Sequence, residues 1–287
     1  MTGRASPPAV AIAVGATSSD RDTDTPLLVR SLERAGVAAR PLAWDDPRAD
    51  WDEYDLVVIR STWDYVSRLG EFLAWADSVP RLANPADVVR WNTDKSYLRD
   101  LDRAGVPVVP TRWVAPGDPV ELPEGDVVVK PAVGNGSRES ARFRAGDDAA
   151  RAHVARLHAR GSVAMVQPYL DSIDERAETG VVVIGNHPSH AIAKPQQLAR
   201  STMTRRDTGI ATRRPCLEEL ELAARALAQV PGGPDRLLYA RVDMVAGGTG
   251  APVIMELEVA EPSLFLALSD GAADRLAAAV VGAITAR

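Results

Sequence analysis

The stretch Arg241-Val-Asp243-Met-Val-Ala-Gly-Gly-Thr-Gly-Ala-Pro-Val253-Ile-Met-Glu256-Leu-Glu258-Val-Ala-Glu261-Pro decides how this chain is read. Two apolar β-type runs flank Ala-Gly-Gly-Thr-Gly-Ala-Pro, whose glycines supply turn conformations, so the spacing predicts a hairpin. Side chains two apart on a strand share a face, which puts Glu256 and Glu258 together. With Asp243 opposite them, three carboxylates converge. Like charges so close repel, and burying them unpaired is costly. A hard cation such as Mg2+ relieves that repulsion, and Mg2+ takes one or two protein carboxylates together with phosphate oxygens. The hairpin therefore points to phosphate chemistry, provided a phosphate site lies elsewhere in the chain.

Upstream, residues 9–15 (AVAIAVG), 37–42 and 56–59 (LVVI) read as buried strands, with helical patterns over 26–35 and 69–78. Strands alternating with helices imply a parallel, right-handed β-α-β sheet ending near Pro85. Ligand-facing loops are expected at the strand ends. The loop after the third strand, Arg60-Ser-Thr-Trp-Asp64-Tyr65, is dense in polar and aromatic groups. After the first strand comes Val14-Gly15-Ala-Thr-Ser-Ser-Asp20 with no G-x-G-x-x-G, which disfavours a dinucleotide cofactor.

Asn92-Thr93-Asp94 reads as a cap for a helix from Lys95 to Ala104. A strand is expected over 106–114. Asp126-Val-Val-Val-Lys130-Pro-Ala-Val-Gly134-Asn-Gly136-Ser137 reads as a strand entering a Gly-rich turn. Further helices are expected over 147–159, 217–229 and 272–285, and strands over 163–169, 180–184 and 191–194. Residues 195–215 read as a polar loop bearing Arg200, Arg205, Arg206, Arg213 and Arg214, either a lid or a solvated basic loop.

Lys95, Lys130 and Lys194 are the only lysines among 33 basic residues. Where arginine is so preferred, a lysine marks a position that arginine does not fill. Lys130 precedes a turn whose amides can wrap phosphate, although the same pattern describes a hairpin loop with a surface lysine. Lys95 at a helix start is unfavourable unless an anion sits beside it. Gln167-Pro-Tyr169-Leu170 ends a strand whose free main-chain groups can read a base edge, and the following acidic segment, with Glu175 and Glu178, can hold ribose hydroxyls. Each of these also fits an ordinary strand end or loop.

Taken in order, Lys95, Lys130 with its Gly-rich turn, Gln167-Pro-Tyr-Leu, Glu178, Arg241-x-Asp243 and Glu256-x-Glu258 resemble the ATP-grasp superfamily from Asp94 to Glu261. The resemblance implies an ATP-grasp fold preceded by a Rossmann-like parallel α/β domain, α/β overall and α+β in its central and C-terminal parts. The implied division is 1–92, 93–170 and 171–287. It implies that ATP is held by Lys95, Lys130, Gly134, Asn135, Gly136, Ser137, Gln167, Tyr169, Leu170 and Glu175 or Glu178, and Mg2+ by Asp243, Glu256 and Glu258. Arg241 and Lys130 would serve the chemistry. Glu256-x-Glu258 departs from the Glu-x-Asn common in the family, and the Gly-rich turn is short. The Arg60–Tyr65 loop and Glu261-Pro-Ser263 are similar to the small bacterial, glutathione-synthetase-like branch, which includes cyclo-ligases of O-ureido-serine.

The implied reaction is ATP-dependent activation of a small amino-acid-like carboxylate as an acyl phosphate, followed by attack of an amine. Ser61, Thr62, Trp63, Asp64, Arg241, Glu261 and Ser263 are the expected substrate contacts. An intermolecular amino-acid ligase of natural-product (antibiotic) metabolism, or a nucleotide-binding protein without activity, would share these features, and a homodimer is the assembly the resemblance implies.

A net charge of −6 offers no footprint for nucleic acid, and no apolar run approaches a membrane span. Cys216 is the single cysteine, so no internal disulfide forms and the cytoplasm is the expected compartment. His153 and His158 are badly spaced for one metal, and His187 and His190 read as surface residues.

Overall fold

The computed structural model describes residues 7–16, 22–195 and 209–286. Strand β1 (Ala9–Val14) leads to helix α1 (Asp24–Arg34), then β2 (Ala38–Ala43), β3 (Leu56–Ile59), α2 (Leu69–Ser78) and β4 (Leu82–Ala83). The four strands form a parallel sheet in the order β2-β1-β3-β4. Residues 10–13 and 56–59 are buried throughout, as expected of strands covered on both faces. Asp22 starts α1, its Oδ1 accepting the amides of Asp24 and Thr25 at 3.1 and 2.9 Å.

Two helices follow, α3 (Ala86–Thr93) and α4 (Tyr97–Arg103). This corrects the expected helix from Lys95, which instead lies in the turn between the two. Asn92 does not cap that helix. Its Nδ2 donates to the Leu257 carbonyl at 2.7 Å, and its Oδ1 accepts the amides of Val259 and Ala260 at 2.9 and 3.3 Å. Asp94 keeps a capping part, accepting the amide of Ser96 at 2.8 Å.

The central sheet comprises β5 (Arg112–Val114), β6 (Val127–Pro131), β7 (Ala141–Phe143) and β8 (Ala164–Pro168), antiparallel in the order β5-β8-β6-β7, with α5 (Asp148–His158) between β7 and β8 in the chain. Ala150, Val154 and Leu157 of α5 pack on Val127, Val129 and Val166. The strand expected over 106–114 shrinks to β5, because residues 107–109 turn to the last strand of the fold instead: Val109 N–H donates to the Ile254 carbonyl and Ile254 N–H to the Pro107 carbonyl, each at 2.9 Å. The acidic segment forms a short helix, α6 (Ser172–Arg176).

The third sheet contains β9 (Glu178–Ile184), β10 (His187–Lys194), β11 (Ala211–Arg213), β12 (Tyr239–Ala246) and β13 (Pro252–Glu258), antiparallel in the order β11-β10-β9-β12-β13. Part of the expected polar loop is therefore strand: β11 pairs with β10, and Arg213 is drawn in by Thr179 and Glu219. Arg214 is exposed, and Arg200, Arg205 and Arg206 lie outside the described residues. Helix α7 (Leu217–Leu227), begun by Cys216 and Glu219 as a capping box, packs with α4 on this sheet. Helix α8 (Ala272–Thr285) carries Leu276, Val280 and Ile284 at helical spacing, and this stripe is buried between α1 and β9. Among the described residues no helix is long and apolar enough to cross a membrane.

Candidate active site

The hairpin forms as its alternation requires. Arg241 stands opposite Glu258 and Asp243 opposite Glu256, with a bulge between Asp243 and Met244. Gly180 of β9 pairs with Asp243 from the other side. A Cβ at position 180 would lie 2.9 Å from Asp243 Oδ1, 3.0 Å from Ile192 Cγ1 and 3.3 Å from Arg241 Cδ. Only glycine leaves room for the two charged side chains to lie across the strand.

These charges are paired among themselves. Arg241 Nε reaches Asp243 Oδ1 at 2.9 Å, Nη2 reaches Oδ2 at 2.9 Å, and Nη1 donates to the Ser263 carbonyl at 2.7 Å. Arg241 also pairs with Glu258. Lys194 lies 2.7 Å from Asp243 Oδ2 and pairs with Glu178. Burial alone would raise the Asp243 pKa, but Arg241 and Lys194 outweigh it and hold the carboxyl well below its ordinary range. Glu256 is likewise held down against burial, by Lys95 and Lys130. Glu258 shifts the other way: burial, with Glu256 and Asp243 nearby, outweighs Arg241. Burial also pushes Glu178 up to about 7 despite Lys194. Lys194 was not among the expected site residues; its rarity as one of three lysines was the signal available.

Among the described residues, no three acidic, His or Cys side chains gather as a ready-made metal cage. Asp243 has both oxygens engaged by cations, while Glu256 and Glu258 stand at the cavity wall. Such hard oxygen donors suit Mg2+, which draws much of its coordination from phosphates and water.

One cavity of about 660 Å³ runs beside this cluster. One end of it is lined by Lys95, Lys130 and residues 134–137. Lys95 pairs with Glu256 at 3.1 Å and donates to the Gly134 carbonyl. Lys130 is 9% exposed and its ammonium makes no hydrogen bond or contact ion pair among the described residues; burial pulls its pKa down against the pull of Glu256. Gly136 and Ser137 sit at φ +57° and +58°, in the left-handed conformation, and both line the cavity.

At the far end Gln167, Tyr169 and Leu170 line the wall, with Val109, Val128, Ile173, Val245 and Met255 as an apolar floor that the sequence analysis did not include. The Tyr169 amide is already committed to the Asp126 carbonyl at 2.8 Å, and Gln167 Nε2 donates to Thr111 Oγ1 at 2.8 Å. The amide of Leu170 has no partner among the described residues. Arg142 lies 3.3 Å from the Tyr169 ring centroid and braces it. Glu178 lines the cavity; Glu175 does not, because it is exposed on α6 and Ala177 at φ +61° turns the chain between them.

On the remaining wall stand Trp63, Arg241, Glu261 and Ser263, together with Asp22 and Arg60, which the sequence analysis did not name as contacts. Ser61 and Thr62 are buried behind the wall, and Asp64 accepts the Trp44 indole N–H at 3.1 Å instead of facing the cavity. Arg60 donates to Asp24 Oδ2 at 3.3 Å and to the Pro262 carbonyl at 2.8 Å. Asp24 in turn accepts the amides of Leu264, Phe265 and Leu266 at 2.6, 3.1 and 2.8 Å, fixing the segment that carries Ser263. Burial and the neighbouring Glu258 push Glu261 up to about 7, against Lys95. Among the described residues no histidine or cysteine lines the cavity. His190, expected at the surface, is half-buried and its Nε2–H donates to the Leu264 carbonyl at 2.8 Å.

A parallel α/β unit followed by two antiparallel sheets around a cavity of lysines and carboxylates defines an ATP-grasp enzyme. A family model described as the N-terminal domain of D-cycloserine synthetase DcsG matches residues 10–84. The cycloserine biosynthesis protein DcsG of Streptomyces lavendulae is 37% identical over 294 residues, covering 94% of this chain and 97% of that protein. The crystal structure of D-cycloserine synthetase DcsG superposes with a TM-score of 0.89 at 34% identity, over 96% of this chain and 100% of that one. D-alanine–D-alanine ligase of Bacillus anthracis, in complex with ATP, shares the fold at 14% identity, with a TM-score of 0.65 over 96% and 97% of the two chains. The chain belongs to the D-cycloserine synthetase family of ATP-grasp ligases, and it is an ATP-dependent, ADP-forming ligase.

Proposed function

We propose that this enzyme transfers the γ-phosphoryl group of ATP to the carboxylate of an O-ureido-serine-like amino acid and closes a ring on the resulting acyl phosphate. The observation that carries the reading is Lys130, a buried ammonium with no hydrogen bond or contact ion pair among the described residues, whose burial outweighs the pull of nearby Glu256, facing a cavity shared with Lys95, Glu256 and Glu258. An unpaired buried charge is costly, and an incoming phosphate removes that cost. Lys95 and the 134–137 turn hold the phosphates beside Lys130. Leu170 N–H meets the base over the apolar floor, and Glu178 the ribose.

Glu256 and Glu258, with Asp243 behind them, would hold Mg2+, which supplies charge neutralisation at the phosphates. The carboxylate oxygen attacks γ-phosphorus and ADP leaves; a nitrogen of the same molecule then attacks the acyl carbon, the carbon–oxygen bond to phosphate breaks, and the departing phosphate carries off the nitrogen's proton. Arg241, fixed by Asp243 and Ser263, stabilises the negative charge that develops at the acyl oxygen. Phosphoryl transfer asks the protein for positioning and charge, which this wall of cations provides. Glu261, Ser263 and Trp63 border the place of the amino-acid head group. The division at 92/93 and 170/171 assigns the head-group wall mainly to the first and third parts and the nucleotide to the second and third.

The test is ADP release with O-ureido-serine and a panel of amino acids, followed by mass analysis. A ring derived from one substrate molecule is expected. A joined mass from two molecules would replace cyclisation with intermolecular ligation, and the absence of substrate-dependent ADP would end the ligase reading of this cavity. Glu256→Gln is expected to abolish turnover with the fold intact; surviving activity would overturn its place at the metal.

A further inference from the structure

Asn135 belongs to the turn expected to close on phosphate, yet its side-chain amide is bonded to the wall at Trp63 and Glu261. Its Nδ2 donates to the Trp63 carbonyl at 3.0 Å and to Glu261 Oε1 at 3.5 Å. Trp63 Nε1–H in turn donates to the Glu261 carbonyl at 3.2 Å. Segments 72 and 126 positions away in the chain thus meet at one primary amide. The preceding residue, Gly134, is held from the nucleotide side through its carbonyl by Lys95, which also pairs with Glu256 at 3.1 Å. The short turn is therefore pinned at two adjacent residues, one toward the phosphate lysine and one toward the substrate wall. A neutral amide suits this place: its two N–H groups serve a carbonyl and a carboxylate at once, whereas an aspartate would repel Glu261 and leave the Trp63 carbonyl without its donor.

Resting on the ligase reading above, we propose that Asn135 is a positioning residue that couples closure of the nucleotide turn to closure of the substrate wall. Coupling matters because an acyl phosphate is open to water. If the turn closes while the wall at Trp63 and Glu261 stays open, water adds to the acyl carbon and the carbon–oxygen bond to phosphate breaks. Carboxylate and phosphate then leave, and one ATP becomes ADP with no new carbon–nitrogen bond. With Asn135 in place, the nucleotide turn cannot settle without drawing in the wall, so the intermediate forms only in a closed cavity.

The experiment measures ADP and amide product together for the wild type and for Asn135→Ala, Asn135→Asp and Asn135→Gln. In Asn135→Ala the product formed per ADP is expected to fall from about one to below about one half. KM for the amino acid should rise ~10-fold, and KM for ATP less than ~3-fold. Asn135→Asp should be at least as uncoupled as Asn135→Ala, and Asn135→Gln should recover part of the coupling. A ~10-fold rise in KM for ATP with coupling intact would make Asn135 a phosphate ligand and overturn the proposal, as would a set of variants that leaves every parameter unchanged.

A second measurement keeps the coupling separate from the reaction. Amide exchange with and without a non-hydrolysable ATP analogue should show protection of residues 134–137 and also of 61–65 in the wild type, and of the first segment alone in Asn135→Ala. Equal protection of 61–65 in both proteins would refute the coupling even if the enzyme proved to be a ligase. If the wild type showed no substrate-dependent ADP, the ligase reading would fail while this comparison still decided the contact.

Discussion

Glu261→Gln tests the electrostatics of the substrate wall without requiring turnover. In the folded protein the Glu261 carboxyl is raised from 4.5 to about 7, chiefly by burial and then by Glu258. A folded-state acid raised in this way favours its protonated form, so it costs nothing below pH 4.5, costs progressively more up to pH 7, and costs a constant amount above that. At about 1.4 kcal/mol per decade of acidity the full penalty is about 3 kcal/mol at pH 8 and about 1 kcal/mol at pH 5. Glu261 is only partly buried by surface area, so solvent screening trims the difference between the two pH values to about 1–2 kcal/mol. Glutamine keeps an acceptor for Asn135 and Tyr65 but does not ionise. Denaturant unfolding of both proteins, free of ligand, should show Glu261→Gln stabilised by about 1–2 kcal/mol more at pH 8 than at pH 5. Titrating groups remote from Glu261 are common to both proteins and cancel in the difference, and the coupled Glu258, relieved of a like charge, shifts stability in the same direction. A stability difference that does not change with pH would refute the reasoning, because it would place the Glu261 carboxyl at an ordinary acidity in the fold.

Lys130→Met should stabilise the ligand-free protein by ~1 kcal/mol, since the burial of its ammonium outweighs the attraction of Glu256, and should weaken binding of an ATP analogue ~100-fold; unfolding and calorimetry read the two effects. Gly180→Ala should lower stability by about 1–3 kcal/mol and turnover together, because its Cβ would press on Asp243 Oδ1 from 2.9 Å; normal stability and activity would show that the β9–β12 approach relaxes freely. Asn92→Ala removes three buried hydrogen bonds to the exit of β13 and should cost about 2–4 kcal/mol in denaturant unfolding, with the pH dependence of stability unchanged.

The hairpin was legible because period-two alternation and a Gly-rich turn determine which side chains share a face, and its register then brought Arg241, Asp243, Glu256 and Glu258 together. The parallel sheet was legible from its unbroken apolar runs. What escaped depended on partners remote in sequence. Lys194 has its meaning from Asp243, 49 positions away, and only the strand order β10-β9-β12 brings the two together. Asn92 has good capping chemistry, yet a strand 165 positions later takes its amide. In Arg60-Ser-Thr-Trp-Asp64 all five residues are polar or amphipathic, so composition could not say which face the cavity. The fold turned Arg60 and Trp63 toward it and Ser61, Thr62 and Asp64 away. Glu175 and Glu178 were equivalent as carboxylates until a left-handed Ala177 separated them.

Helix α8 makes assembly of this protein wait on its own synthesis. Leu28 and Leu32 of α1 are sealed by Leu276 and Val280, and Arg34 lies 2.5 Å from Asp274 across 240 positions of chain. A ribosome exposes α1 and its sheet long before α8 emerges, so one apolar flank stays wet through most of translation and the final closure is a contact of very long range. A nascent chain stalled ahead of residue 272 should remain sensitive to protease in its first eighty residues, and the full-length chain should not. Sealing of that flank of α1 is thus expected to follow the arrival of α8.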